Sequence, residues 1–521
     1  MPSIDAIIKM INSNNDNVIT KKEVSDFQNK LKNDSIFSEY FKSIENDLSL
    51  DEFSDNIYKI FIESKLELIP KFDFLNNSDS EIMDEYSMEG RFSVNNKDID
   101  EEYLRRRYMW KFPNKEGFDK TYDKLINEIE NGANISVYDY FKDYQPTQPI
   151  TMESYIASGN WGIILPNDFV FEDMDWKNNP EIFKYICFNE NTFSKTSPEN
   201  LPEGYSPQKV FDNGKSIGLG IDDVHAAGYT GKGISYALID SGTLDDNGQQ
   251  HDNIHFKNYQ VAESAQNIEW VNDMHGRAVS YIAQEIAPNA DCYYYAQQNG
   301  ADMDTPVLEN LKSILEKNKT LPDDKKIRFV SMSMPLFGGK EAKQVVKELE
   351  KQGVWVYYSG CKENRKFHGY LGKIDPNASL DDFNNYQIDD PWNCLLILPN
   401  GKKKVGNRKH ALFVNSGDRT VPDPSSPTAF RHDSKASQSW SIPVIAGYYV
   451  LACQADPTMT KERFLKLAEK TAQIKQSTMP IYQIRKSAEP IPIGRTEETV
   501  EIKIIDIKAL LEAIENEKIS K

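Results

Sequence analysis

The chain has 521 residues, too many for one ordinary hydrophobic core, so two or more domains are expected. Hydrophobic residues make up 39% and charged residues 27%, which is the balance of a folded protein rather than a disordered one. The formal net charge of −19 argues against nucleic acid or an anionic membrane surface as a main partner.

Targeting and crosslinking signals are weak. The segment 1–6 has no basic stretch leading into an apolar one, so no signal peptide is predicted. No run approaches the roughly 18 apolar residues that a membrane span needs. The five cysteines are scattered without a CxxC pair, which argues against a disulfide framework and a zinc knuckle. We therefore expect a cytoplasmic protein, with secretion left open.

Glycine and histidine divide the chain into two parts. Only five of the 27 glycines lie in the first 200 residues, and all seven histidines follow them. The first part is therefore predicted to be mostly helical, and the second to have the tight turns of an α/β domain. The expected segments are 1–70 (helical), 71–205 (intermediate or propeptide-like), 206–475 (the α/β domain) and 476–521 (a strand and a helix that complete it).

The stretch 12–23 has the spacing of a calcium-binding EF-hand loop. Oxygen-bearing side chains fall at the usual loop positions, and Asn17 replaces the turn glycine, which asparagine can do because it tolerates the left-handed conformation. With only two of these residues charged, calcium binding should be weak. The alternative is a polar loop that caps a helix. The candidate ligands are Asn12, Asn14, Asp16 and Glu23.

From about residue 206, short apolar strands alternate with helical patterns. A helix is predicted over 276–286, where apolar residues recur on one face. This alternation predicts a parallel sheet covered by helices on both faces. In such sheets, sites form at the carboxyl ends of the strands. The predicted strands are 234–239, 291–296, 327–333 and 354–358.

Three side chains in this region form the parts of an acyl-transfer triad. Asp240 ends a strand, His275 opens a helix, and Ser439 opens a helix that is apolar nearly all round and must be buried. A carboxylate, an imidazole and a hydroxyl are what such a triad requires. Each also has a plainer interpretation on its own, as a turn, a cap and an N-cap respectively.

With their flanking residues, these three resemble the subtilisin-like serine proteases over about residues 206–475. The resemblance implies Ser439 as nucleophile, His275 as general base and then acid, and Asp240 as the group that orients it. It also implies that an extended peptide pairs with the backbone near Ser331, Ser333 and Met334. The matching segments are 228–233 with 239–242, 275–276 with 286–290, 330–333, 353–356, and 439–443 with 446–447.

The chain departs from this family at the oxyanion hole. The family has Gly-Asn after the last strand, and its amide donates to the oxyanion, whereas here the pair is Gly360-Cys361. A thiol is a weak donor, so Cys361 marks the oxyanion position without its hydrogen bond, and the backbone N–H of Ser439 would be the other donor. Losing one donor lowers kcat on the order of 10²–10³-fold, or roughly 3–4 kcal/mol. Arg277 also replaces the family's usual threonine.

Two functions follow from this pattern. The first is a serine endopeptidase with an altered oxyanion hole, acting on a polypeptide. The second is an inactive or weakly active subtilisin-like pseudoprotease that binds a peptide or partner. A third interpretation makes Cys361 a nucleophile, against its plainer role as a small buried hydrophobe. Residues 1–205 stand where the family carries an inhibitory propeptide, so intramolecular inhibition is expected, and calcium is the expected cofactor.

Overall fold

The computed structural model describes most of the chain after residue 186, and all described residues belong to one compact unit, Tyr86–Lys521. The EF-hand prediction at 12–23 and the helical segment 1–70 lie outside the described residues. The described ranges are 112, 115–130, 140–141, 163–164, 176–178, 186–244, 248–265, 275–297, 303–361, 363, 369–375, 377–389, 394–397, 402–405, 412–423, 425–434, 437–485 and 488–519.

Helices and strands alternate along this part of the chain. The helices are α1 Lys115–Glu130, α2 Pro207–Gly214, α3 Ile221–Ala226, α4 His275–Ile286, α5 Asp304–Thr320, α6 Gly339–Lys351, α7 Gln438–Ala455, α8 Lys461–Thr471 and α9 Ile507–Ile519. The strands are β1 Ile163–Ile164, β2 Ile186–Asn189, β3 Ser235–Ser241, β4 Asn258–Val261, β5 Asp291–Gln297, β6 Ile327–Pro335, β7 Trp355–Ser359, β8 Gly369–Lys373, β9 Tyr386–Ile388, β10 Leu395–Ile397, β11 Lys403–Val405, β12 Leu412–Asn415, β13 Arg419–Pro422, β14 Phe430–Asp433, β15 Gln473–Arg485 and β16 Ala488–Ile504.

The central sheet has five strands in the order β4-β5-β3-β6-β7, and every neighbouring pair is parallel. The predicted α/β class with a parallel sheet is confirmed. After β3 the chain adds β4 and β5 on one side and then β6 and β7 on the other. The carboxyl edge beside β3 is therefore a topological switch point, where open α/β sheets bind their ligands.

Helices cover both faces of this sheet, because the side chains of its strands alternate between two cores. On β3, Tyr236 and Leu238 pack into the core formed with α4 and α7. Ala237 and Ile239 point the other way, into the core formed with α5 and α6. All of β3 is buried, so its last residues reach the carboxyl edge from the interior of the molecule.

A glycine sets the close packing of α7 on α4. A Cβ added at Gly447 would lie 2.6 Å from Cγ2 of Ile286, so only glycine allows this approach. Near their amino termini the same two helices meet again, where Trp440 contacts His275. Contacts near the amino terminus of one helix are with the amino terminus of the other, and Gly447 meets Ile286 further along both, so the two helices run in the same direction. Both amino termini therefore lie at the same edge of the molecule, beside the end of β3.

Two further sheets complete the described fold. β15 and β16 form a long antiparallel hairpin inside a seven-stranded sheet of order β11-β10-β15-β16-β12-β8-β9. The strand predicted within 476–521 is therefore part of a hairpin, whose second strand, β16, lies between β15 and β12. A four-stranded sheet has the order β1-β2-β14-β13 and joins 186–189 to the strands around 419–433. Even α7, with 18 mostly apolar residues, does not qualify as a membrane-spanning helix, and neither does any other helix in the described ranges.

Candidate active site

The structure brings Asp240 and His275 together at the carboxyl edge of the sheet. Nδ1 of His275 lies 2.6 Å from Oδ1 of Asp240. The carboxylate is only 1% exposed, whereas the imidazole is 30% exposed. Because a carboxylate can only accept, this contact favours the neutral tautomer with its proton on Nδ1, in which Nε2 is the nitrogen that can accept a proton. The pair has the geometry of a general base with its orienting acid.

The backbone around this pair is fixed by close contacts between β3 and α4. The carboxylate of Asp240 also accepts from the backbone N–H of Ser241 at 2.8 Å, and the Ser241 hydroxyl accepts from the N–H of Gly276 at 2.9 Å. A Cβ at Gly276 would overlap the carbonyl oxygen of Ser241 and the hydroxyl of Tyr294. Glycine must therefore follow His275 for the helix to start this close to the strand.

Arg277 anchors two loops to the start of α4. Its guanidinium is completely buried. It donates to the carbonyl oxygen of Thr243 in the loop after β3 and to that of Asp423 in the loop after β13, each at 2.8 Å. The guanidinium points towards these carbonyls, so Arg277 serves as a structural anchor near the candidate site. The sequence showed an arginine where subtilisin-like proteases usually have threonine, but it did not predict the carbonyl oxygens to which Arg277 donates.

The other described histidines do not offer an equivalent base. His251 is 1% exposed, burial lowers its pKa, and its Nε2 lies 3.1 Å from the carbonyl oxygen of Ala429. His432 is completely buried, and burial lowers its pKa well below the usual range. Nε2 of His225 contacts the carbonyl oxygen of Ile286 at the far end of α4. Among the described histidines, only His275 has a carboxylate partner within salt-bridge distance.

Ser439 is the second residue of α7, and the N-cap is Ser437. The Ser437 side chain accepts from the backbone N–H of Ser439 at 3.1 Å. The plainer interpretation of Ser439 as the N-cap is therefore replaced, since Ser437 has that role. Within the described residues, the Ser439 hydroxyl makes no hydrogen bond, including to His275. The backbone N–H expected as an oxyanion donor is already bound to the cap.

A proline and a hydroxyl from β6 determine the backbone environment of Ser439. Pro443 lies inside α7 and has no N–H, so the carbonyl of Ser439, four residues earlier, lacks its helical donor. The hydroxyl of Ser333 donates to this carbonyl at 2.9 Å instead. Sequence reasoning missed this bond, although the four-residue spacing of Pro443 from Ser439 was a signal for an unsatisfied carbonyl.

Trp440 contacts the proposed base directly. Its ring centroid lies 5.4 Å from that of His275, with 33° between the ring planes. Since Trp440 follows Ser439 in the chain, this contact brings the first turn of α7 against the imidazole. Sequence reasoning missed this contact, because Trp440 is one of many apolar residues in its helix and no local pattern distinguishes it.

The predicted peptide-contacting residues have different environments in β6. Ser331 lies inside the sheet, between Leu238 of β3 and Tyr357 of β7. Met334 is 8% exposed, and its sulfur lies 3.0 Å from the Gln297 side-chain amide. The β3–β6 register ends at Met332, so Ser333 is the first of the three predicted residues beyond it.

Cys361 lies beyond the end of β7 and is 3% exposed. Gly360 before it has φ of 82°, a left-handed conformation that glycine adopts without strain. The backbone N–H of Cys361 donates to the carbonyl oxygen of Tyr358 at 3.2 Å. Cys361 belongs to the same buried cluster as Trp440. This environment is that of a small buried hydrophobe.

The calcium ligands predicted from the sequence, Asn12, Asn14, Asp16 and Glu23, lie outside the described residues. Within the described ranges, no group of three or more histidine, cysteine, aspartate or glutamate side chains is arranged to hold a metal ion. The calcium site therefore stays a prediction from the sequence.

Neither a protein-family model nor a curated protein matches this chain. Many solved structures are similar to part of it, among them two proteases. One, described as proteases from Pseudoalteromonas arctica, is 14% identical and covers 59% of this chain and 98% of its own, with a TM-score of 0.34. The other, the prenylagaramide maturation protease PagA, is 11% identical and covers 57% and 98%, with a TM-score of 0.33. At such low TM-scores and identities, neither likeness identifies the function of this chain.

Proposed function

We propose that this chain is a subtilisin-like serine endopeptidase whose triad is Asp240, His275 and Ser439. The observation that carries the proposal is the 2.6 Å contact between a buried carboxylate and a partly exposed imidazole at the switch point of a parallel sheet. The contact of Trp440 with His275 supports the inclusion of Ser439, since it brings the first turn of α7 to the same place.

In this mechanism, the Ser439 hydroxyl oxygen attacks the carbonyl carbon of a peptide bond while Nε2 of His275 takes the hydroxyl proton. The same proton then goes to the leaving amine as the C–N bond breaks, and an acyl-enzyme remains. Water repeats the sequence and releases the acid. Asp240 keeps the imidazole in the reactive tautomer and stabilises its protonated form. The hydrogen bond between the Ser439 hydroxyl and Nε2 of His275 has to form when substrate binds. Catalytic hydrogen bonds that are long in the free enzyme often shorten in this way in the substrate complex.

The oxyanion hole is the weak part of this arrangement. One expected donor, the N–H of Ser439, is bound to the Ser437 hydroxyl, and the other position is occupied by the buried Cys361. Each missing donor lowers kcat on the order of 10²–10³-fold. Turnover should therefore be slow unless Ser437 releases the N–H in the transition state.

The incomplete oxyanion hole also favours a second candidate, a subtilisin-like pseudoprotease that binds a peptide or partner without cleaving it. In both functions the bound polypeptide would pair with β6 beyond Met332, at Ser333 and Met334, because the backbone up to Met332 is already paired within the sheet. Inhibition by the N-terminal region, from residues before the strand β2 that pairs with β14, would act on this same surface.

A fluorophosphonate probe separates the two candidates, because it forms a covalent bond only with an activated serine. We expect wild type to be labelled and Ser439→Ala to be unlabelled. Ser441→Ala is a matched control, since Ser441 lies two residues further along α7 with its hydroxyl bound to the carbonyl of Gln438 at 2.8 Å. Labelling of neither wild type nor the control supports the binding protein.

Two substitutions test the oxyanion hole. Ser437→Gly frees the N–H of Ser439, and Cys361→Asn supplies an amide at the position the family uses. We expect a rise in peptide hydrolysis in each, on the order of tenfold or more if the restored donor reaches the oxyanion. No rise in either variant would contradict these assignments while leaving the triad untouched.

Calcium binding is proposed separately for the loop 12–23. Calorimetry on the full chain should detect a weak site that is lost in Glu23→Gln, because the last loop residue supplies two ligand oxygens in this motif. Absence of binding at millimolar calcium would remove this proposal.

A further inference from the structure

Trp440 lies with its indole ring against the imidazole of His275. The centroids are 5.4 Å apart and the planes are inclined by 33°, so the two rings pack against each other at a tilt. This is within the roughly 6 Å over which a cation is attracted to an aromatic face. Trp440 is 5% exposed, so water has little access to the indole side of the contact. A contact shielded in this way is stronger than one on the surface.

We propose that Trp440 stabilises the protonated form of His275 through the face of its indole and so sets the pH at which His275 becomes a base. The inference rests on the proposed function, because it takes His275 as the catalytic base. Trp440 acts through His275 and is a positioning residue. Its ring packs against the same imidazole whose Nδ1 meets Asp240.

The other charges around His275 are few in the described residues. On β3 the facing group is Asp240, which favours the protonated imidazole. On α7 there is no charged residue from Gln438 to Ala455. On α4 itself the nearest charge is Arg277, whose guanidinium is bound to carbonyl oxygens. His275 is the first residue of α4, and the positive end of the helix dipole there disfavours the protonated imidazole, in opposition to Asp240. Among the described residues, Trp440 and Asp240 both contact His275 and favour the imidazolium.

Removing the indole should make His275 easier to deprotonate. A cation–π contact of typical strength corresponds to a pKa change of roughly half to one and a half units. Because only the neutral imidazole accepts the proton of Ser439, the acid limb of the pH–rate profile should move to lower pH by the same amount. Trp440→Phe should lie between wild type and Trp440→Leu, since phenylalanine keeps a weaker aromatic face.

The test follows the His275 imidazole resonance through a pH titration of the full chain labelled at histidine. The resonance is assigned by its loss in His275→Gln. The expected result is an apparent pKa that falls in the order wild type, Trp440→Phe, Trp440→Leu. Equal pKa values in all three would overturn the inference. Should Trp440→Leu fail to fold, the comparison of wild type with Trp440→Phe decides, because phenylalanine preserves the buried apolar contact.

The rate of fluorophosphonate labelling, measured against pH in the same proteins, separates this inference from the proposed function. If the His275 pKa shifts in the Trp440 variants but no protein is labelled, the role of Trp440 is supported and the proposed peptidase activity is contradicted. Labelling with unchanged titration keeps the peptidase and removes the role of Trp440. Shifts of equal size in the titration and in the labelling profile support both.

Discussion

Pro443 explains why a hydroxyl from another strand contacts the first turn of α7. It removes the N–H that would have bonded to the carbonyl of Ser439, and Ser333 supplies the replacement. The side chain that supports the proposed nucleophile thus comes from β6, the strand expected to hold the substrate. The hydrogen bond from Ser333 would therefore connect the peptide binding proposed along β6 with the position of Ser439.

Ser333→Ala tests this connection. Leaving the Ser439 carbonyl without its donor should lower the free energy of unfolding by about 1–3 kcal/mol. Urea denaturation measures this change. Ser333→Thr retains a hydroxyl and is the matched control, and it should keep most of the stability. Equal stability of wild type and Ser333→Ala would mean that water satisfies the carbonyl equally well.

At the scale of elements, the site depends on how closely α7 approaches α4. Gly447→Ala should cost about 1–3 kcal/mol of stability, because the added methyl group overlaps Ile286. Ile286→Ala makes room for that methyl group. In the double variant the combined loss should be smaller than the sum of the single losses by at least about 0.5 kcal/mol. Additive losses, measured by thermal or urea unfolding, would indicate that the two residues do not determine each other's packing.

The strand β2 ties residues before 206 to the α/β fold. It pairs with β14, and Phe188 packs on His432 with ring centroids 4.9 Å apart. Trp176 packs on Phe193 at 5.6 Å. Limited proteolysis of the full chain should therefore give a smallest stable fragment that begins before Trp176. A stable fragment that begins near residue 206 would contradict the importance of these contacts, and N-terminal sequencing distinguishes the two results.

At the scale of the whole molecule, one ion pair gives a prediction for acid stability. Burial alone would raise the pKa of Asp456, but hydrogen bonds from Arg463 and Thr458 lower it to about 2. A carboxyl whose folded pKa lies below its unfolded value of 3.8 stabilises the fold above that value and loses this contribution as the pH falls towards 2. The side chains of Asp456 and Arg463 are 11% and 23% exposed, so solvent screens the pair only in part.

The full contribution of Asp456 is about 2 kcal/mol. The stability difference between wild type and Asp456→Asn should shrink by about 1 kcal/mol between pH 5 and pH 3. Asp252→Asn, at an exposed aspartate outside this ion pair, serves as control. Unfolding free energies in urea at the two pH values provide the measurement. A difference that does not change with pH would contradict the role assigned to this pair.

Much of the central sheet was predictable, because its strands are short, apolar and separated by clear helical patterns. The predicted strand 234–239 corresponds to β3, and the predicted helix 276–286 corresponds to α4. The strand β4 was missed because Asn258–Val261 is only partly buried and has no apolar run. The order of strands, and so the switch point, depends on long-range pairing that periodicity does not encode.

The candidate site was predictable as far as residue types and their order along the chain allow. Asp240 and His275 were expected to lie together, and they do. The backbone N–H of Ser439 was expected to be an oxyanion donor, but in the structure it donates to the Ser437 hydroxyl. The difference arises because the sequence does not show which of the neighbouring residues is the N-cap of α7. The contact of Trp440 with His275 depends on how α7 meets α4, and no local pattern specifies that.

The central claim is that Asp240 and His275 activate Ser439, and the fluorophosphonate labelling rate of Asp240→Asn tests it most directly. Asparagine keeps the shape of the side chain but cannot hold the imidazole in the reactive tautomer, so labelling should slow on the order of 10⁴-fold. Asp252→Asn should be labelled at the wild-type rate. If Asp240→Asn reacts as fast as wild type, or if wild type does not react, the triad assigned here is contradicted.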